Sequence, residues 1–275
     1  FFRELGFNVI LSDATDEEAV LLSQSVAAPD VCLPVKLLHG HMEQLVQRGV
    51  DYIFVPSMQT IRHVKSPVPH NYACVYLQSG PQIAARALKL EERGVELLSP
   101  VFKMDFGQPA MAEAMLSVGA QLGKPGRETA LAMLSGSAAV AEFTSGTEKL
   151  GDQLLSRLGE SDRAFVIITR NYGIADPVLN MGVPDLLLER GQHVLTLSHL
   201  HAHDIDLSTD YPDLYWPFAQ HILSGARIVA RDPRLFAVYL TSHVCGPDSI
   251  IAHLFKREMG DKPYLQLEVD EHASA

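Results

Sequence analysis

Residues 42–55 read MEQLVQRGVDYIFV and contain the pattern that decides the fold. The first part has the apolar spacing of an amphipathic helix that ends on a basic residue and a glycine, and the second part is a short, β-rich apolar run. Because glycine readily takes the left-handed conformation that closes a helix, the stretch predicts a helix leading directly into a strand of a parallel sheet. The same pattern recurs at 84–98, 185–197 and 250–269. The sequence therefore predicts an α/β fold with parallel sheets.

The predicted strands are short and almost wholly apolar, as expected when helices cover both faces of a sheet. They fall at 52–55, 75–77, 165–169 and 235–241. Between about 107 and 160, helix-forming stretches are interrupted by glycines and a proline, which predicts several separate helices. We therefore expect two flavodoxin- or Rossmann-like lobes with parallel sheets joined by a helical bridge: an N-terminal lobe at 1–105, the bridge at 106–161 and a C-terminal lobe at 162–275.

The first residues resemble the end of a helix that closes on Gly6 and leads into a strand at 7–11. A doubly wound lobe normally places a strand before such a helix. This pattern predicts that the chain is a piece of a longer polypeptide.

Composition narrows the class of protein. The 275 residues have a formal net charge of −11, which gives no basic field for phosphate backbones, so nucleic acid is not an expected partner. No apolar stretch approaches the roughly 18 residues that cross a bilayer, so no membrane partner is expected. Three cysteines are too few for a disulfide framework in a chain of this length. We expect a soluble, cytoplasmic protein.

The cysteines lie where loops of an α/β fold approach ligands. Cys32 precedes the helix that ends near Arg48, Cys245 follows the strand at 235–241, and Cys74 begins the predicted strand at 75–77. A thiolate at a helix N-terminus is stabilised by the helix dipole, which favours metal ligation or nucleophilic attack. The spacing fits no zinc ribbon, and free cysteine is often a small core residue. Both interpretations stay open on spacing alone.

A set of segments carries a resemblance to a known family. They are CLPVKLLHGH at 32–41, GVDYIFVP at 49–56, NYAC at 71–74, DPVLNMG at 176–182, VCGPD at 244–248 and LEVDE at 267–271. Together they resemble the acyl-CoA dehydratase activase-related family (DUF2229). That family is akin to the subunits of 2-hydroxyacyl-CoA dehydratases and benzoyl-CoA reductases.

The resemblance implies an iron–sulfur cluster, of the [4Fe–4S] type, on Cys32, Cys74 and Cys245 near a cleft between the lobes. It implies a protein that takes low-potential electrons from an ATP-driven activase, in the same or a separate chain, for reductive dehydration or reduction of an acyl-CoA-type substrate. The ligating sulfurs of such a cluster lie about 6–7 Å apart. The alternative is a non-catalytic docking or scaffold region of a larger activase protein, without a cluster. Whether the chain is itself an enzyme stays open between a 2-hydroxyacyl-CoA dehydratase-like protein and an activase component.

Three further stretches qualify this hypothesis. The segment IITRNYG at 167–173 departs from the Gly-Arg-Pro-Tyr-His pattern expected in relatives, which leaves the role of that loop open. The segment 119–125 resembles a phosphate-binding loop, but its spacing is one residue short and proline replaces Ser/Thr. His199, His201 and His203 alternate, and an extended backbone would point the three imidazoles the same way. They could bind a transition metal or belong to a solvated loop.

Overall fold

The computed structural model describes residues 1–63, 65–66 and 68–271, and these contain nine α-helices and eight strands. The helices are α1 Glu17–Val26, α2 Leu33–Gln47, α3 Val75–Ala87, α4 Gln108–Gln121, α5 Gly126–Arg157, α6 Asn171–Ala175, α7 Val183–Glu189, α8 Pro217–Arg231 and α9 Gly246–Met259. The strands are β1 Tyr52–Phe54, β2 Ser57–Thr60, β3 Glu96–Leu98, β4 Val101–Lys103, β5 Ala164–Ile168, β6 His193–Thr196, β7 Leu235–Ser242 and β8 Leu265–Val269. The predicted α/β fold with parallel sheets is confirmed.

The last four strands form one parallel sheet in the order β6-β5-β7-β8. Val166, Ile167 and Ile168 of β5 are completely buried, which explains why this strand is almost wholly apolar. β5, which comes first of these strands in the sequence, lies inside the sheet between β6 and β7. The winding therefore reverses between β5 and β7. In open parallel sheets ligands bind at such a switch point, beyond the carboxyl ends of the strands.

The strands of the N-terminal region pair more sparsely. β1 pairs with β3 and β2 pairs with β4, both in parallel, and the hydrogen bond from Val55 N to Leu98 O continues the first pair. The strand pairs pack against α2 and α3, and the shared core includes Met42, Ile53 and Ala84. Gly49 ends the turn before β1 with φ +70°, the left-handed conformation predicted for it.

The helix α5 is longer than the sequence predicts. Interruptions at Gly136 and Gly146 were expected, but the helix continues through both over 32 residues. A glycine in a helix interior costs only about 1 kcal/mol relative to alanine. Both ends of α5 are held by close packing: Gly119 of α4 leaves room for Thr129, and Gly151 lies against the backbone of His199. This packing outweighs the local cost of the two glycines.

The two sheet-containing regions meet through α2. Leu33 and Leu37 of α2 pack against Leu179, in the loop after α6, and against Val269 at the end of β8. A polar contact adds to this interface, because Gln220 Nε2 donates a 2.9 Å hydrogen bond to Oδ1 of Asn71. The segment that leads to Cys74 is therefore held against the C-terminal region.

Two predicted strands are wrong. Residues 7–16 form no regular secondary structure, and Leu11 is largely exposed, so the predicted strand at 7–11 buries too little apolar surface to pair. Residues 75–77 form the first turn of α3 instead of a strand. A three-residue apolar run fits either element, and here the helical continuation to Ala87 decides.

No helix in the described part of the chain combines the length and the apolar character needed to cross a membrane.

Candidate cysteine site

All three cysteines lie at the N-terminus of a helix. Cys32 is the N-cap of α2, Cys74 of α3 and Cys245 of α9, and each has an extended backbone. The expected position of Cys32 just ahead of a helix is confirmed, Cys245 follows its predicted strand and itself caps the next helix, and Cys74 caps a helix and does not begin a strand. None of the thiols is in a disulfide. Each sulfur therefore lies beside the partial positive charge of a helix N-terminus.

The three thiols belong to one electrostatic neighbourhood. Besides burial, the neighbouring Cys74 and Asp248 raise the pKa of the Cys32 thiol and Arg170 lowers it, and Cys32 in turn adds to the raised pKa of Cys245. Cys32 is thus the residue that links the other two. The described residues hold no set of three sulfurs with every pair within 4.8 Å, so a closed site for a single ion is not formed by the cysteines.

A buried ion pair lies directly beside Cys245. Arg170 Nη2 donates a hydrogen bond to Cys245 Sγ at 3.2 Å and another to Asp248 Oδ1 at 2.8 Å, while Arg170 Nε reaches the same carboxylate oxygen at 3.0 Å. Arg170, Asp248 and Cys245 are 6%, 3% and 5% exposed. Arg170 follows β5, and Cys245 and Asp248 follow β7, so the switch point of the sheet brings them together.

Burial determines the protonation of these groups. Burial raises the pKa of the Cys245 thiol to about 12, and Asp248 acts in the same direction, against the opposing effect of Arg170. Burial also raises the pKa of Cys32, and this effect outweighs the hydrogen bond with the N–H group of Val35, which lowers the pKa. Reactive cysteines have a lowered pKa and partial exposure, so neither thiol fits a free nucleophile at neutral pH. What remains is a metal ligand, which loses its proton on binding, or an inert core thiol.

Burial would lower the pKa of Arg170, but the adjacent Asp248 carboxylate holds it above its usual value, so the guanidinium remains charged. The positively charged guanidinium of Arg170 is hydrogen-bonded directly to the Cys245 sulfur. It can offset negative charge on a thiolate ligand.

Tyr172 covers the site from the C-terminal region. Its ring packs in the apolar cluster that contains Leu33 and Leu37, and burial raises the pKa of its phenol well above the usual value. The charges acting on this phenol include Arg170, Asp248 and both Cys245 and Cys32. Tyr172 is therefore an uncharged side chain packed in the apolar cluster beside Cys32.

The other polar residues of the 32–41 segment are engaged within the protein. Lys36 is buried and forms an ion pair with Glu271. His39 Nδ1 donates a 2.8 Å hydrogen bond to the carbonyl oxygen of Val35, one turn earlier in α2. Gly40 permits the close approach of α1, because a Cβ there would lie 2.4 Å from the carbonyl oxygen of Ala19. These contacts give the segment a structural role around Cys32.

Sequence reasoning missed Arg170, Tyr172 and Asp248. The loop at 167–173 departs from the pattern expected in relatives, and the segment VCGPD at 244–248 draws attention to Cys245 and not to Asp248. One signal is present in the sequence: Arg170 is a charged residue two positions after a buried apolar strand. Its partner could be named only with the strand order, which places β5 beside β7.

The alternating histidines separate into two groups. The ring of His199 faces its own backbone, where the N–H of Thr196 donates to His199 Nδ1 at 2.9 Å. His201 and His203 instead come together with Glu148 of α5. The expectation that all three imidazoles point the same way is therefore wrong, because 3₁₀ turns at Leu197–His199 and Ala202–Asp204 break the extended backbone.

Comparison with known proteins identifies a family. The family model described as CoA enzyme activase uncharacterised domain (DUF2229) matches residues 1–200. The matched range includes Cys32, Cys74 and Arg170 and ends before Cys245. No curated protein matches the chain, and no solved structure does. The family resemblance seen in the sequence segments is confirmed.

Proposed function

The chain belongs to the DUF2229 family of CoA enzyme activase domains, and on that premise we propose that it holds a [4Fe–4S]-type cluster on Cys32, Cys74 and Cys245. Its role would be in the acyl-CoA dehydratase and activase system, with electrons received from an ATP-driven activase. One observation carries the proposal. Cysteines that are 42 and 171 residues apart in sequence all cap helices, and Cys32 is an electrostatic neighbour of both others.

The donor chemistry of the residues fits such a cluster. Thiolate is its usual ligand, and the three thiols are free. Helix N-termini stabilise thiolates, and three of them are present here. Hydrogen bonds to ligating sulfurs tune a cluster, and Arg170 already donates one to Cys245. A polynuclear cluster does not need three sulfurs within 4.8 Å of one another, because its ligands lie about 6–7 Å apart.

When bound, a cluster of this type supplies one-electron transfer at low potential, which reductive dehydration or reduction of an acyl-CoA-type substrate needs. The chain's own residues have separate tasks. Arg170 orients Cys245 and places a positive charge beside it, and Asp248 holds Arg170 in place. Tyr172 packs with Leu33 and Leu37 and adds apolar surface beside Cys32. Protons must leave the buried thiols, so assembly is expected to be favoured at higher pH.

A second candidate, a docking region without a cluster, is favoured by the surface of α5. Leu131, Leu134, Val140 and Phe143 of this helix are exposed, Phe143 to 75%. A helix that exposes several large apolar side chains offers contact surface to another protein. In this case α5 would bind the remainder of an activase protein, and the cysteines would be core residues.

Anaerobic reconstitution with iron and sulfide tests the first proposal. We expect about four irons per chain in the wild type and a loss of most of them in each of Cys32→Ser, Cys74→Ser and Cys245→Ser. Ser79→Ala, on the exposed side of α3, is the control and should keep its iron. Fewer than about one iron per chain, with all thiols shown to be reduced, would contradict the proposal.

The docking candidate makes a different prediction for the activity of the reconstituted activase system. There, Phe143→Asp should abolish activity while Cys32→Ser leaves it intact. Under the cluster proposal the Cys32→Ser variant is the inactive one. The two outcomes cannot both occur, so this pair of variants separates the candidates.

A further inference from the structure

We propose that Glu148, His201 and His203 form a second site, which binds a divalent transition-metal ion such as Zn²⁺ and is independent of the cysteines. His201 Nδ1 lies 4.0 Å from Glu148 Oε2, and His203 Nδ1 lies 3.3 Å from Glu148 Oε1. One ligand atom from each of the three residues lies within 4.8 Å of the other two. Imidazole and carboxylate are both zinc ligands.

The far sides of the two rings support this interpretation. His201 Nε2 lies 3.1 Å from Asp152 Oδ1, and His203 Nε2 lies 3.5 Å from Asp204 Oδ1. Each imidazole therefore presents Nδ1 to Glu148 and Nε2 to a further carboxylate. Histidines that bind metals almost always pair their other ring nitrogen with a carboxylate, a carbonyl or water, which fixes the ring and raises its basicity.

The fold holds these residues in place. Glu148 and Asp152 are four residues apart on α5 and so lie on the same face of that helix. The loop that carries the histidines is pressed onto α5 at Gly151, where a Cβ would lie 2.0 Å from the carbonyl oxygen of His199. Ala202 is completely buried, which anchors the loop between the two histidines, while their side chains remain 45% and 39% exposed. An ion from solvent can reach them.

The dimensions are close to those of a zinc site. Zinc bonds to nitrogen and oxygen of about 2.0–2.2 Å place tetrahedral ligands about 3.4 Å apart. The His203–Glu148 separation of 3.3 Å already matches this value, and the His201–Glu148 separation of 4.0 Å must shorten by about 0.6 Å when an ion binds. Two histidines and a glutamate leave a fourth position, which water or a substrate takes in known zinc sites with this ligand set.

A third imidazole, that of His63, interacts with this group. His63 and His203 interact electrostatically, and within the described residues neither ring nitrogen of the buried His63 has a hydrogen-bond partner. Together with the three carboxylates of Glu148, Asp152 and Asp204, this gives the region several donors and an excess of negative charge, both of which favour a divalent cation.

Titration of the metal-free full chain with Co²⁺ and with Zn²⁺ tests the site. Cobalt bound here should show an absorption spectrum of nitrogen and oxygen ligands, without the sulfur-to-metal charge-transfer band that binding at the cysteines would give. We expect His203→Ala to weaken this cobalt and zinc binding by more than 100-fold and Asp152→Asn to weaken it by about 10–100-fold. His193→Ala, an exposed histidine at the start of β6, is the matched control and should bind as the wild type does.

Melting of each variant without metal checks that it is folded. If His203→Ala does not fold, the largely exposed Asp152 decides the question through Asp152→Asn. Binding without the nitrogen and oxygen signature, or equal affinity in Asp152→Asn and His193→Ala, would overturn the proposal. Simple ion pairs between protonated histidines and carboxylates would then account for the cluster.

Discussion

Replacement of Arg170 by methionine is expected to destabilise the C-terminal region strongly. The substitution leaves the buried Asp248 carboxylate without the two hydrogen bonds and the charge that Arg170 supplies. Removal of one partner from a buried ion pair typically costs about 3–5 kcal/mol, because the remaining charge is uncompensated. The loss of the hydrogen bond to Cys245 adds to this cost. We therefore expect Arg170→Met to lower the free energy of unfolding by at least 3 kcal/mol, roughly.

A double-mutant cycle separates the pair from its surroundings. In Arg170→Met/Asp248→Leu no buried charge is left unpaired. The free energy of unfolding of the double variant should therefore be at least as high as that of the more stable single variant. Lys89→Met and Glu92→Leu remove an exposed pair and serve as the control, for which about 0–1 kcal/mol is expected.

Urea unfolding monitored by tryptophan fluorescence is the assay. Trp216 is the single tryptophan of the sequence and packs against the core of the C-terminal region, so it reports on the region that contains Arg170. A cost below about 1 kcal/mol for Arg170→Met would refute this reasoning. So would single-variant costs that simply add in the double variant.

Three other predictions concern packing and titration. Gly151→Ala should destabilise the protein by about 1–3 kcal/mol, because the new Cβ would meet the backbone of His199. Gly146→Ala would meet nothing within 4 Å and should stabilise α5 by about 1 kcal/mol. Equal melting temperatures of the two variants would contradict this prediction. Burial lowers the pKa of His221 to about 4 from its usual 6.5, so the unfolded chain binds the proton first as the pH falls, and about 3 kcal/mol of stability should be lost between pH 6.5 and 4. Urea unfolding across that range checks this, and His221→Gln should flatten the dependence. Burial raises the pKa of Cys245 to about 12, so at pH 7 iodoacetamide should alkylate this thiol about 1000-fold more slowly than an ordinary thiol. Mass spectrometry measures the rate, and an equal rate in the folded and the urea-unfolded chain would contradict the prediction.

The elements that sequence predicts well are those fixed by local chemistry. The helix, glycine and strand pattern at 42–55 is correct because Gly49 takes the left-handed turn and the following apolar run enters the core at Ile53. The strands β5 and β7 were found because sheet burial makes them continuous apolar runs. The 75–77 run was misassigned because three apolar residues do not distinguish a strand from the first turn of a helix.

The site shows the limit of local patterns. Cys32, Cys74 and Cys245 were selected through the family resemblance, and their helix-capping positions come from the structure. The contact of Arg170 with Cys245 spans 75 residues and depends on which strands are neighbours, which no local pattern encodes. For the same reason Glu148, which meets His201 and His203 from α5, could not be found from the histidine segment alone.

The position of iron in the folded chain tests the shared cysteine site most directly. Crystals grown anaerobically after reconstitution with iron and sulfide would be measured at the iron absorption edge, where anomalous scattering locates the metal. We expect one strong peak among the N-termini of α2, α3 and α9, bonded to the sulfurs of Cys32, Cys74 and Cys245. Iron absent from that position, or found only beside His201 and His203, with the three thiols intact, would contradict the proposed cluster.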